Sequence, residues 1–205
     1  MNASATAPPF RRRLPLLVAA VLVLAAVVWL RRAEPDYDAK VAPIVLPGAV
    51  GQRVQARNFA VEVKKAKLAH AYLTKAGLFD AAPRTVASDG IWMSLLVEAE
   101  PLDEPGFISA QLRTRDGLIY RASDHGRPEL GGSNFNGQEL LTGLRGTGAY
   151  FFDVPPDRLE GAHAQFYWGN VTPGQMDHLI DIDLGLDAAA TRKLLAGATP
   201  TLDLR

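Results

Sequence analysis

The side chains best suited to proton transfer near neutral pH, or to holding a transition metal, are the four histidines, His70, His125, His163 and His178. None has another ligand-type residue two or four positions away on the same face of an element. The nearest approach to a ligand set is His178 with Asp181 and Asp183 in HLIDIDLGL. Read with a period of two, Ile180, Ile182, Leu184 and Leu186 share one face, the aspartates take the other, and His178 falls on the apolar side. A solvated strand face accounts for this pattern, with an oxygen-ligated cation site as the alternative.

The other constellations fail on context. Ser123-Asp124-His125 contains the residue types of a hydrolase triad, but triads are assembled from distant segments, and Gly126-Arg127-Pro128 makes this stretch a turn. Ser133 in GGSNFNG lacks the G-x-S-x-G frame of a nucleophile elbow. Gly143, Gly146 and Gly148 in LLTGLRGTGAYFF invite a phosphate-loop reading. Such a loop must deliver its N–H groups at a helix start, whereas this one runs into the strand-like AYFFDV and lacks the Lys-Ser/Thr ending. Glu98/Glu100 and Asp103/Glu104 are carboxylate pairs of the kind glycosidases use, but Glu98 and Glu100 share one exposed strand face beside the Pro-Leu-Asp-Glu-Pro turn. Asn170-Val171-Thr172 matches a glycosylation sequon only by chance. No catalytic, cofactor-binding or metal-ligating residue is assigned, no cofactor is expected, and the chain reads as a non-enzyme.

The elements that carry these residues are mostly strands. NFAVEVK places Phe59, Val61 and Val63 opposite Glu62 and Lys64. GIWMSLLVEAE alternates Ile91, Met93, Leu95, Val97 and Ala99 with a more polar set. FISAQLRTRDGLIYRAS contains two strands joined at Arg115-Asp116-Gly117, a favoured hairpin turn. AYFFDV, AHAQFYWGNV and HLIDIDLGL follow, separated by Pro-Pro-Asp and Thr-Pro-Gly turns. Seven or eight short strands in this pattern predict an all-β antiparallel sandwich. Lys65–Phe79 is ambiguous, since Leu68, Ala71, Tyr72, Ala76 and Phe79 suit a helical face as well as a strand. Asp187–Gly197 predicts a short helix, with Asp187 as N-cap and Gly197 as stop.

ASDGIWMSLLVEAE, the hairpin LRTRDGLIYRASD and FFDVPPDRLEGA together resemble the membrane-anchored immunoglobulin-like proteins of unknown function found in actinobacteria, over about Gly51–Leu186. The resemblance implies an immunoglobulin-like β-sandwich outside the membrane and no catalytic residues. The Cys–Trp–Cys core of antibody domains is absent, so the likeness is architectural.

Composition narrows the function further. With no cysteine, the chain has no disulfide, no thiolate catalysis, no cysteine zinc site and no lipid-modified cysteine anchor. All 22 acidic residues follow Arg32, where 17 basic residues accompany them, a net of −5. An acidic domain lacks the basic footprint that nucleic acid requires. Leu14–Leu30 is apolar throughout and is bounded by Arg11-Arg12-Arg13 and Arg31-Arg32. At about 1.5 Å per residue it reaches roughly 25 Å, the short end of a transmembrane helix. Pro15 sits in its first turn and Trp29 near its far end, where an indole favours the interface. A cleaved export signal with Val23-Leu24-Ala25 before the cut is the rival reading, though apolar character continues past that point.

Three arginines before the span against two after it place the N-terminus in the cytoplasm and the domain outside. The expected order is a tail over 1–13, a span over 14–30, a Pro/Gly-rich linker over 31–50, the sandwich over 51–186, and a short helix with a tail over 187–205. The expected role is a single-pass, membrane-tethered interaction subunit of a membrane or envelope complex, with Phe135 of GGSNFNG as a contact residue. A module binding a cation, small molecule or wall polysaccharide is the alternative.

Overall fold

The computed structural model describes residues 10–33, 40–74, 83–123, 134–169 and 176–204. It contains two units, Met1–Val41 and Ala42–Arg205. In the first, α1 (Phe10–Ala33) is a continuous helix that carries Pro15 near its start. Its Leu14–Arg32 stretch has a mean hydropathy of 2.4 and buries none of its residues in protein.

The second unit is the β-sandwich. One sheet has the order β1 (Ile44–Ala49), β10 (His178–Asp183), β9 (His163–Trp168), β5 (Gly106–Arg113), β6 (Ile119–Arg121), and the short β7 (Glu139–Leu140) also pairs with β5. The other has the order β11 (Thr199–Asp203), β3 (Phe59–Thr74), β4 (Arg84–Pro101), β8 (Gly146–Val154), with β2 (Arg53–Gln55) also on β3. The period-two sets meet between the sheets: Val61, Val63, Leu95 and Val97 face Ile108, Leu112, Phe166 and Ile180 in one buried cluster. Tyr150 of β8 ties the layers together, since its hydroxyl donates to the Ile108 carbonyl of β5 at 2.5 Å.

The seven strands read from sequence are all present, and β1, β2, β7 and β11 are added to them. Two additions change the domain limits. The expected irregular linker ends early, because Ile44–Ala49 joins the sandwich by pairing parallel to β10. Its Pro47 and Gly48, which argued against regular structure, suit an edge strand: Pro needs no donor on the open side, and a Cβ on Gly48 would overlap Val54 and Ile182. At the other terminus, α2 (Ala188–Ala196) has Asp187 as N-cap, whose carboxylate accepts from the N–H groups of Ala189 and Ala190, and Gly197 as C-cap. The chain then continues as β11, parallel to β3. The antiparallel sandwich therefore has two parallel strands, one on the edge of each sheet. Parallel neighbours need long connections, so both come from segments distant in sequence.

The ambiguous segment beginning at Lys65 is strand as far as Thr74, and its remainder lies outside the described residues. The register of β3 against β4 shifts between Val63 and Lys65 and again between Ala69 and Ala71. The first shift is a bulge, one extra residue in β3 that reverses the alternation; at the second, β4 advances from Trp92 to Ala87 while β3 advances only from Ala69 to Ala71. Val63 and Leu68 consequently both reach the core although their spacing is odd, and mixed spacing of this kind imitates a helical face. The hairpin turn falls at Arg115–Gly117 as expected, with Gly117 at φ +87°.

Candidate functional site

The three residues of the HLIDIDLGL constellation go separate ways. The Nδ1 of His178 lies 3.2 Å from Asp177 Oδ1, and Asp177 is also held by Arg57 at 3.3 Å and Asn58 at 3.2 Å. Asp183 accepts from the Gly185 N–H at 2.8 Å. Asp181 accepts from Arg113 at 3.0 Å and stands 3.3 Å from Nδ1 of His163. The His163–Asp181 pairing runs between adjacent antiparallel strands, and no local spacing in the sequence announces it.

Asp181 belongs to a packed polar strip on the outer face of its sheet. Beside it, Gln111 donates through Nε2 to Gln165 Oε1 at 2.8 Å, both side chains buried. Ser109 and Tyr167 are buried in the next row. Burial raises the Tyr167 phenol pKa, against the opposing effects of Arg121 and Ser109. One oxygen of the carboxylate is matched by a guanidinium and the amides by each other, while Asp181 Oδ1 and His163 Nδ1 are buried without a hydrogen-bond partner. The strip ties β5, β9 and β10 together across their outer faces.

The carboxylate pair on the other sheet is likewise committed. Glu98 lies 3.4 Å from Lys64 and 3.8 Å from Arg145, and Glu100 accepts from Arg53 at 2.6 Å and Arg145 at 3.0 Å. Desolvation opposes ionisation of Glu100, but the two arginines outweigh it and hold its carboxyl below the usual range. A glycosidase acid needs a raised pKa, so Glu100 is tuned the wrong way for that task. Asp103 and Glu104 are exposed in the turn after β4, and His70 is exposed at the second register shift between β3 and β4. Ser123 donates its backbone N–H to Phe151. Asp124, His125, Ser133 and the sequon Asn170–Thr172 lie outside the described residues. Among the described residues, no three of His, Asp and Glu gather as a metal ion would require.

Phe135 is not a contact residue. It is 5% exposed, packs edge-on to Tyr150 with ring centroids 6.0 Å apart, and covers Gly148 so closely that a Cβ there would overlap its ring. This overturns the expectation for Phe135; the first three residues of GGSNFNG lie outside the described residues. The packing of Phe135 also explains the glycine run: Gly148 is small to admit the ring, and Gly146–Val154 is a strand.

One concave feature escaped the sequence. On the outer face of the second sheet, Tyr72, Trp92 and Phe151 form a small aromatic cluster with ring centroids 5.0 and 5.4 Å from Tyr72, and Leu202 and Leu204 pack against it. Burial pushes the Tyr72 phenol pKa up. Beside this cluster opens a cavity of about 360 Å³, lined chiefly by Lys65, Lys67, Ser94, Leu96, Phe151 and Leu202. Its trace in the sequence is KKAK inside a strand pattern, which the bulge after Val63 obscured.

Fold and surface together define a two-sheet β-sandwich and an apolar helix, with outer faces of the sandwich bearing polar pairs and a groove. No known protein family and no curated protein matches the chain. Among solved structures it is similar to a secreted protein, MPT63, from Mycobacterium tuberculosis, at 15% identity over 68% of this chain and 98% of that one, TM-score 0.47. It is also similar to the yjhA protein from Bacillus subtilis, at 18% identity over 66% of this chain and 99% of that one, TM-score 0.42. A third, an uncharacterised β-sandwich protein from Clostridium difficile, has 9% identity over 72% of this chain and 99% of that one, TM-score 0.43. These are distant similarities, and the architecture rests on the strand pairing described above.

Proposed function

We propose that this chain is a single-pass membrane protein that holds its sandwich outside the cytoplasm and works by binding, as a non-enzymatic accessory subunit of a membrane or envelope complex. The observation that carries the reading is α1: nineteen residues, Leu14–Arg32, of high hydropathy with no protein surface burying them. Such a helix in water would expose every apolar side chain, whereas a bilayer solvates them and leaves its backbone satisfied internally. Membrane anchoring is also what the resemblance to the actinobacterial immunoglobulin-like proteins implies. The excess of arginine before the span supports an N-terminus inside and a domain outside.

Alkaline phosphatase and a cytoplasmic fluorescent reporter, fused in turn to each end, test the arrangement. Phosphatase activity at the C-terminus and fluorescence at the N-terminus are expected. A fluorescent C-terminal fusion overturns the orientation, and a mature chain that begins just after Ala25 overturns the tether. Crosslinking the full-length protein in cells identifies the partner. The groove beside Phe151 favours a second reading, in which the sandwich binds a small ligand.

A further inference from the structure

The bulge after Val63 lets Lys64 and Lys65 both face outward, and it sets Lys65 beside Leu96 and Lys67 beside Ser94. Leu96 and Ser94 stand in turn beside Ala149 and Phe151 of β8. Leu202 pairs at the level of Tyr72, beyond Lys67, so the groove is chemically graded along its length. Thr147 and Lys65 stand toward one end, Lys67 and Phe151 share the next row across Ser94, and Leu202 and Leu204 lie at the other end.

Among the described residues no carboxylate lines this cavity, in a unit that is otherwise acidic. Among the described residues no acidic side chain forms an ion pair with Lys65 or Lys67, while Glu62 and Glu98 in the adjoining rows are matched by Lys64 and Arg145. Two cations along one wall of an apolar trough, away from its Leu202 and Leu204 end, select for negative charge on the ligand's head, and their aliphatic stems extend the apolar wall. A polysaccharide would need more polar groups than the wall offers: Ser94 and Thr147 supply its hydroxyls, and that of Ser94 already donates to the Lys67 carbonyl at 3.4 Å.

Resting on the ligand-binding reading above, the geometry points to a site for a single-chain anionic amphiphile. The acyl chain lies along Phe151, Leu202 and Leu204, and the carboxylate or phosphate head meets Lys65 and Lys67. The cavity of about 360 Å³ is near the lower end of small-ligand pockets, roughly 300–1,000 Å³, and admits one short chain rather than the two of a membrane phospholipid.

Decanoate carrying a terminal photoreactive diazirine tests this on the full-length protein in phosphatidylcholine nanodiscs, with labelled sites mapped by peptide mass spectrometry. Labelling of β8 and β11 is expected, competed by decanoate and not by decanol. The variant Lys65→Gln/Lys67→Gln, both sites exposed, should lower it about tenfold. Absence of label on these strands, equal labelling of the variant, or equal competition by decanol overturns the proposal. So does labelling of the groove by photoreactive phosphatidylglycerol where the decanoate probe gives none. Probe dissolved in the bilayer also labels α1. Label on α1 without label on the sandwich refutes the groove assignment alone, whereas label on the sandwich without label on α1 refutes the membrane tether alone.

Discussion

Phe135 and Gly148 form a pair whose energetics can be worked from their contacts. Phe135→Ala removes a ring that is 95% out of solvent and packed against Tyr150. Burying about 150 Å² of aromatic surface at roughly 25 cal/mol per Å² contributes about 4 kcal/mol. Truncations of buried phenylalanine fall at about 3–5 kcal/mol, and at the margin of a sandwich partial collapse favours the lower figure, about 3 kcal/mol. Gly148→Ala places a methyl where the ring stands, and overpacking of this kind costs about 1–3 kcal/mol. In the double variant the methyl added at position 148 enters the space the ring has left, so the second substitution should cost little or nothing. The expected coupling is thus about 1–3 kcal/mol in favour of the double variant. Urea unfolding of the parent, both single variants and the double variant, followed by tryptophan emission, completes the cycle. Additivity within about 0.5 kcal/mol would show that the two groups do not touch. A loss below about 1 kcal/mol for Phe135→Ala would return that residue to the surface, as the composition of its loop suggests.

The Gln111–Gln165 pair should behave asymmetrically: Gln165→Leu strands a buried amide and costs about 1–3 kcal/mol, whereas Gln111→Leu/Gln165→Leu stays within about 1 kcal/mol of the parent. Thermal melts that rank the double variant below the single would sink this account. Tyr150 is held neutral by burial, with its pKa raised above the ordinary 10.0, so as pH passes about 10 the unfolded chain loses this proton and the folded chain keeps it. Its contribution is therefore complete below about pH 10 and is lost above it, by about 1.4 kcal/mol per pH unit. Tyr150→Phe forfeits the bond to Ile108, about 1 kcal/mol at about pH 7, yet should decline less steeply between about pH 10 and 11; parallel stability curves would refute the assignment.

Much of the architecture was legible locally. Period-two runs marked seven strands because each strand face meets either the core or the outside, and that difference is written into consecutive residues. Asp187 and Gly197 marked α2 because capping is a matter of a few adjacent backbone groups. The 17-residue apolar run from Leu14 to Leu30 marked α1 by length alone. Those features are what the sequence by itself determined.

What it could not determine were partners. Pro47 and Gly48 looked like linker residues until β10 lay alongside them, and Phe135 looked exposed until Gly148 left room for its ring. Asp181 found His163 and Arg113 across neighbouring strands instead of His178 along its own. The groove needed the bulge after Val63, a strand from the C-terminal tail and the face of β8 brought together. Local alternation reports only whether a side chain meets an apolar or a polar environment. Which groups supply that environment depends on long-range register, and a single extra residue in β3 reverses the face that every later side chain presents.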